Sequence, residues 1–295
     1  MAEVALPEAP ARSFKDYKSG TRVTWCPGCG DFAVLSALYK AFAEMQLDPK
    51  NTVVVSGIGC SGRLPEFVQT YGFHGVHGRV LPTAQGVKLA NPELTVVAVG
   101  GDGDGFAIGG GHVPHAARRN VDITYIVMDN EVYGLTKGQP SPTTPISVTR
   151  KDMKSKMIPY GVSDRPLNIL AMLLTYGAGF VARGFSSRPR DLMQLYTQAI
   201  RHPGFAFVQA LSPCPTFFDT YRSFKDITTP LPENWDRSNR AQGIELALTE
   251  EQLHLGVFYE ELRPSFQEHL RQIQVKAGAS EAGRPDYRAL FQQFA

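Results

Sequence analysis

The sequence predicts an α/β protein, a mostly parallel sheet flanked by helices and followed by a helical C-terminal extension. Three observations carry this expectation. Short β-branched runs, Asn51–Gly57, Leu94–Gly100 and Asp122–Met128, are close to continuously apolar, as strands covered on both faces tend to be. Stretches with helical spacing separate them. Each run hands over to a loop carrying glycine, aspartate or cysteine, and loops at strand carboxyl ends are the usual ligand sites of open α/β sheets.

In chain order, Asp31–Glu44 places Phe32, Leu35, Leu38, Tyr39 and Phe42 at helical spacing, with Asp31 as the expected N-cap. Asn51–Gly57 reads as a buried strand with Cys60 in the loop at its carboxyl end. Thr83–Ala90 reads as a short helix between Pro82 and Asn91-Pro92. Leu94–Gly100, Ile108–Arg119 and Asp122–Met128 read as strand, helix and strand, a βαβ unit. Gly138–Thr149, rich in Pro, Ser and Thr, is expected to be an ordered active-site loop or a lid. Asn168–Tyr176 and Pro189–Arg201 read as helices on either side of a strand at Phe180–Arg183, and Phe205–Leu211 as a strand that delivers Cys214 just past its end. After Pro230 the composition shifts towards Glu, Gln and Arg. Thr249–Val275 is expected to be one long helical segment with Leu253, Val257, Phe258, Leu262, Phe266, Leu270 and Ile273 on its apolar side. The expected organisation is an N-terminal arm over 1–20, a ligand-binding domain over 21–230 and a helical extension over 231–295.

At 295 residues with 43% hydrophobic content the chain can bury a sizeable core. Thirty basic residues against 28 acidic ones leave a charge of +2, with no basic run to track a phosphate backbone, which argues against nucleic acid as a partner. No apolar stretch approaches the ~20 residues that span a bilayer. Met1–Ala11 lacks the basic and apolar regions of a secretory signal. A cytoplasmic setting is expected, where cysteines serve as metal ligands or catalysts more often than as disulfides.

All four cysteines sit in Pro/Gly contexts: Cys26 and Cys29 in Trp-Cys-Pro-Gly-Cys-Gly, Cys60 in Gly-Ile-Gly-Cys-Ser-Gly and Cys214 in Ser-Pro-Cys-Pro-Thr. A C-x-x-C knuckle plus two cysteines at strand-end loops could converge on one tetrahedral set, which suits structural zinc or an iron–sulfur cube. Glycine-freed N–H groups favour the cube, whose sulfides accept hydrogen bonds. A zinc knuckle or four inert cysteines are the alternatives. The second constellation is Gly101-Asp102-Gly103-Asp104-Gly105 with Asp129-Asn130-Glu131-Val132-Tyr133-Gly134. Glycines let backbone amides approach phosphate oxygens, while a carboxylate, an amide oxygen and a carbonyl supply hard ligands to magnesium. That combination describes a diphosphate site.

Gly101-Asp102-Gly103 followed by Asn130 resembles the thiamine diphosphate signature. Together with Cys-Pro-Gly-Cys-Gly, Gly-Ile-Gly-Cys-Ser-Gly, Leu89-Ala-Asn-Pro92 and Tyr133-Gly-Leu-Thr-Lys-Gly-Gln139 it resembles the β subunit of 2-oxoacid:ferredoxin oxidoreductases over roughly Trp25 to Cys214. The resemblance implies a thiamine diphosphate-binding fold in which Asp102, Asn130 and the Val132 carbonyl hold Mg2+. It also implies that Cys26, Cys29, Cys60 and Cys214 ligate one [4Fe–4S] cluster. Ile58, Gly59, Cys60, His77, Gly101, Gly103, Asp104, Gly134, Leu135 and Thr136 are the further cofactor contacts it implies. In that family a 2-oxoacid is decarboxylated, electrons pass through the cluster to ferredoxin and coenzyme A takes the acyl group. The glutamate that activates the cofactor comes from a partner α subunit or domain, and no residue here matches it.

Arg63 and Lys137 match family positions facing substrate carboxylates or coenzyme A, and His77 is a candidate for the diphosphate or the substrate carbonyl. Two cations favour a dicarboxylate, 2-oxoglutarate, over pyruvate or branched-chain substrates. A non-redox thiamine-dependent decarboxylase with structural zinc is the competing enzyme, and a non-catalytic iron–sulfur module the competing non-enzyme.

Overall fold

The computed structural model describes residues 11–146, 148–249, 251–276 and 292. Its strands are β1 (Thr52–Ser56), β2 (Tyr71–His74), β3 (Thr95–Gly101), β4 (Ile123–Asp129), β5 (Val132–Tyr133), β6 (Gln139–Pro140), β7 (Phe180–Phe185), β8 (Phe205–Leu211), β9 (Thr228–Pro230) and β10 (Leu253–Glu260). Its helices are α1 (Asp31–Glu44), α2 (Gly59–Gly62), α3 (Val80–Ala90), α4 (Asp102–Phe106), α5 (Val113–Arg119), α6 (Ile169–Thr175), α7 (Pro189–Arg201), α8 (Tyr221–Ile227), α9 (Arg240–Ala247) and α10 (Phe266–Lys276). Eight strands form one sheet in the order β2-β1-β3-β4-β8-β7-β10-β9, parallel except where β10 runs against β7. β5 and β6 make a separate ribbon.

The central strands are buried along their whole length, which is why they read as unbroken apolar runs. α1 and α7 cover one face through Leu35, Leu38, Phe42, Leu192 and Tyr196. α3, α5, α6 and α9 cover the other through Leu81, Ala84, Ala116, Leu173 and Ala247. The chain leaves β1 towards β2 and returns on its other side as β3, so the loops after β1 and β3 diverge at a switch point.

Several boundaries differ from expectation. Gly30, not Asp31, caps α1, and Asp31 is buried as its first residue. Cys60 stands in the single turn α2 rather than in an open loop. α3 starts at Val80, with Pro82 in the first turn, where a missing N–H costs no helical bond. The helix expected from Ile108 begins as a 3-10 turn at Gly110–His112 before α5. The long helix expected over Thr249–Val275 is a correction: Leu253–Glu260 is strand β10, and only Phe266–Lys276 is helical. Leu253, Leu255, Val257 and Tyr259 alternate as well as they fit a helix, and pairing with β7 decides the outcome. The sequence after Pro230 therefore adds a strand to the main sheet.

Of the expected N-terminal arm, Met1–Pro10 lie outside the described residues. Beyond them Tyr17 is buried, its hydroxyl donating to the Leu47 carbonyl at 2.7 Å. Among the described residues no helix is long and apolar enough to cross a membrane.

Candidate active site

Parallel pairing brings the ends of β1, β3, β4 and β8 to one edge, and with them every predicted loop. The cysteine loops are stitched to one another. Gly30 N–H donates to the Pro213 carbonyl at 3.0 Å, Trp25 Nε1 to the Cys60 carbonyl at 2.7 Å and Tyr221 Oη to the Gly28 carbonyl at 3.0 Å. A methyl group on Gly134 would stand 3.5 Å from Cys214 Sγ and 3.8 Å from Cys60 Sγ, so this glycine keeps clear the space beside both sulfurs. All four thiols are free. Burial, then the Asp31 carboxylate, pushes the thiols of Cys29 and Cys60 up, Cys60 to about 12. Burial also raises Cys214, opposed by the N–H groups of Phe217, Phe218 and Thr216. Upward shifts of this kind do not activate Cys29, Cys60 or Cys214 as nucleophiles.

Among the described residues no three His, Cys, Asp or Glu side chains close on a point as ligands of a single ion do. Around zinc, thiolate sulfurs would stand roughly 3.8 Å apart, given a Zn–S bond of about 2.3 Å. A four-iron cube is a larger object and spreads its ligands more widely.

The acidic half of the site lies beyond β3 and β4. Asp102, the first residue of α4, and Asp129, the last of β4, are buried. Thr143 Oγ1 stands 2.8 Å from Asp102 Oδ2 and 2.8 Å from Asp129 Oδ1. One hydroxyl proton cannot serve two carboxylates. Burial, then Asp129, pushes Asp102 up to about 7, against the hydroxyls of Ser141 and Thr143 and the Asn130 N–H. Glu131 is pushed well up by burial and then by both aspartates. Like-charged acids buried together fit a site built for a cation. Asn130 Oδ1 accepts from Val132 N–H at 3.0 Å, closing the turn in which Glu131 adopts φ 57°. The loop from Gly138, expected to be an ordered active-site loop or a lid, delivers Thr143 to Asp102, and Thr144 Oγ1 donates to the Glu131 carbonyl at 2.7 Å.

His77 Nδ1 lies 2.8 Å from Asp104 Oδ1, which also accepts from Gly78 N–H at 2.7 Å. Gly57 leaves the space that Asp104 fills, since a methyl group there would fall 1.9 Å from Asp104 Oδ2. Asp104 thus faces His77, and His77 meets Tyr133 edge-on at 6.4 Å. Tyr133 Oη donates to the Gly103 carbonyl at 2.9 Å, tying β5 to α4. Arg63 is engaged: Nη2 lies 2.7 Å from Glu66 Oε2, and Nη1 bonds Thr24. Lys137 is exposed, at φ 77°. Thr136 Oγ1 donates to Gln139 Oε1 at 2.5 Å, and Leu135 is exposed beside it. Ile58 and Gly59 open α2, Gly59 at φ 85°.

Two family models match the chain. The family model for the C-terminal TPP-binding domain of thiamine pyrophosphate enzymes matches residues 57–210, and that for the C terminus of the pyruvate ferredoxin oxidoreductase β subunit matches residues 214–275. Over 280 residues, 89% of this chain and 88% of the other, the sequence is 42% identical to subunit beta of 2-oxoacid:ferredoxin oxidoreductase 2 of Aeropyrum pernix. The chain belongs to the β subunits of 2-oxoacid:ferredoxin oxidoreductases. This β subunit is also 39% identical, over 85% of its length and 90% of the relative's, to the 2-oxoglutarate synthase subunit KorB of Archaeoglobus fulgidus. It superposes with a TM-score of 0.90, at 41% identity and 99% coverage of both chains, on a structure of 2-oxoglutarate:ferredoxin oxidoreductase from Magnetococcus marinus with 2-oxoglutarate, coenzyme A and succinyl-CoA bound.

Sequence reasoning missed four polar residues of this β subunit's site. Ser212 Oγ donates to Asp31 Oδ1 at 2.6 Å, joining α1 to the Cys214 loop, and Gln209 and Arg183 stand behind Asp129. Thr143 was placed in the expected loop without a role. The sequence signal available was polarity alone: Arg183, Gln209 and Ser212 interrupt or end apolar strands where a buried polar group needs a partner.

Proposed function

We propose that this β subunit, with an α subunit of the same enzyme, carries out the coenzyme A-dependent oxidative decarboxylation of 2-oxoglutarate to succinyl-CoA and passes electrons through a [4Fe–4S] cluster to ferredoxin. The observation that carries the reading is the shared edge, where Gly134, two residues past the turn that Asn130 closes onto Val132, lies beside Cys60 and Cys214. Thiamine diphosphate with Mg2+ supplies the carbanion chemistry when bound, and the cluster takes electrons one at a time. The chain's own residues orient and hold. Asp102, Asn130 and the Val132 carbonyl would hold Mg2+, and Cys26, Cys29, Cys60 and Cys214 would hold the cluster. Asp104 holds His77 Nδ1, leaving Nε2 free to exchange a hydrogen bond with the cofactor or substrate. Lys137 offers a free cation for a carboxylate or for coenzyme A. Arg63 can serve likewise only by leaving Glu66. Cytoplasmic ferredoxin is the expected acceptor.

Iron, acid-labile sulfide and thiamine analyses of anaerobically purified complex test this reading. Near-stoichiometric cluster and thiamine, with higher catalytic efficiency on 2-oxoglutarate than on pyruvate, are expected. Zinc without sulfide would overturn the electron-transfer reading, and preference for pyruvate the substrate reading alone.

A further inference from the structure

Behind the acidic cluster runs a line of side chains with no part in holding either group directly. Arg183 on β7 is 5% exposed. Its Nε donates to Gln209 Oε1 at 2.7 Å, and Gln209 Nε2 donates to Asp129 Oδ2 at 2.6 Å. Thr143 continues the line from Asp129 to Asp102. Four contacts in series thus cross from β7 through β8 and β4 to the end of β3.

Each link has a direction. The Gln209 amide turns its only acceptor to a guanidinium and its donor to a carboxylate, so its neighbours fix its orientation. A guanidinium is always charged and costly to bury without an anion. The anion facing Arg183 through the amide is Asp129, and the Phe258 ring lies 5.4 Å below the charge. Asp129 Oδ1 also accepts the Glu131 N–H at 3.3 Å, which pins the turn carrying Asn130 and Val132. The line therefore reaches all three groups assigned to the metal.

We propose that Arg183 and Gln209 are positioning residues for the metal–diphosphate site, acting through Asp129 on the Asn130–Val132 turn and through Thr143 on the Asp102 carboxylate. The inference rests on the reading of Asp102, Asn130 and Val132 as the Mg2+ holders. Magnesium demands near-octahedral geometry, so groups that orient its ligands govern affinity without touching it.

The test uses the complex with its α subunit, with Mn2+ as probe and thiamine diphosphate, reading free and bound Mn2+ by electron paramagnetic resonance alongside thermal melting. Gln209→Glu keeps the shape and still faces Arg183, but turns an acceptor on Asp129. It should weaken Mn2+ binding about 10–100-fold and broaden the bound spectrum while the melting temperature holds. Arg183→Met and Thr143→Val should weaken binding in the same direction, and Thr143→Ser, which keeps the hydroxyl, should restore it. If Gln209→Glu does not fold, the Thr143 pair and Arg183→Met decide. Wild-type Mn2+ affinity in folded Arg183→Met, or in folded Gln209→Glu, would overturn the proposal. So would affinity that merely tracks melting temperature across the series. A wild-type complex that binds no Mn2+ with thiamine diphosphate would overturn the cofactor reading and the proposal with it.

Discussion

The two ends of β4 carry aspartates in opposite circumstances. Asp122, just before the strand, is neutralised by Lys88 Nζ at 2.8 Å and accepts from Gly204 N–H at 3.3 Å. Beside it Asn120, at φ 56°, accepts from Phe205 N–H at 3.0 Å and donates to the Pro264 carbonyl at 3.1 Å. Asp129, at the other end, faces Asp102 across one shared hydroxyl, with Glu131 close by. At the amino-terminal edge Asp122 and Asn120 are satisfied by partners from the chain. The carboxyl-terminal edge leaves acids and thiols crowded, a destabilising arrangement that a cation and a cluster would relieve.

The largest contrast should come from Asp102→Asn. Thiamine diphosphate binding with Mg2+ should fall by more than about 100-fold in calorimetry if Asp102 is the Mg2+ holder proposed above. The ligand-free chain should at the same time become more stable at pH 8, on the order of 1–3 kcal/mol, because a buried charge is removed. The sign follows from Asp102 being raised to about 7: its protonated form is favoured in the folded chain, so stability present below pH 4 is lost as pH rises towards 7. Mg2+ with thiamine diphosphate should therefore raise the melting temperature more at pH 8 than at pH 6. A ligand-free Asp102→Asn chain less stable than wild type at pH 8 would show that this edge is not strained.

Next in size, Asn120→Ala at the other edge should cost about 2–4 kcal/mol in denaturant unfolding, since one buried and one half-buried hydrogen bond are lost and a left-handed residue is strained. Affinity for Mg2+ and thiamine diphosphate should stay within about twofold of wild type, as expected for uncoupled distant sites. A large loss of affinity would mean that the two edges are coupled. The smallest effect concerns His202, whose buried imidazole has no hydrogen-bond partner for either nitrogen, Glu260 Oε1 standing 3.9 Å from Nδ1, and is held down to about 4 by burial. Neutral His202 is favoured in the folded chain, so stability should fall as pH drops from about 6.5 to 4, by about 1–2 kcal/mol. His202→Gln should flatten that slope, and an unchanged slope would assign acid sensitivity to other groups.

Much of this contrast was legible in the sequence. Continuous apolar runs gave β1, β3, β4 and β8, and Pro189–Arg201 and Phe205–Leu211 match α7 and β8 to the residue. The glycine, aspartate and cysteine loops lay where those strands end. β2 escaped because its four residues are exposed and carry no apolar run, and β10 because its pattern fits two periods. The partners of Asp129 escaped for a different reason. Arg183 and Gln209 face each other only because β7 and β8 pair in register, 26 residues apart, and no local pattern encodes that.

The central claim is that one sheet edge holds both the metal–diphosphate and the cluster. Mn2+ in place of Mg2+, bound with thiamine diphosphate in the anaerobic complex, tests it through the Mn2+ resonance before and after cluster reduction. Reduction should broaden the Mn2+ lines in the wild type, and should leave them unchanged in Cys60→Ser or Cys214→Ser, which keep the diphosphate site and lose the cluster. Mn2+ lines that do not respond to reduction in a wild-type complex carrying both groups would contradict the claim.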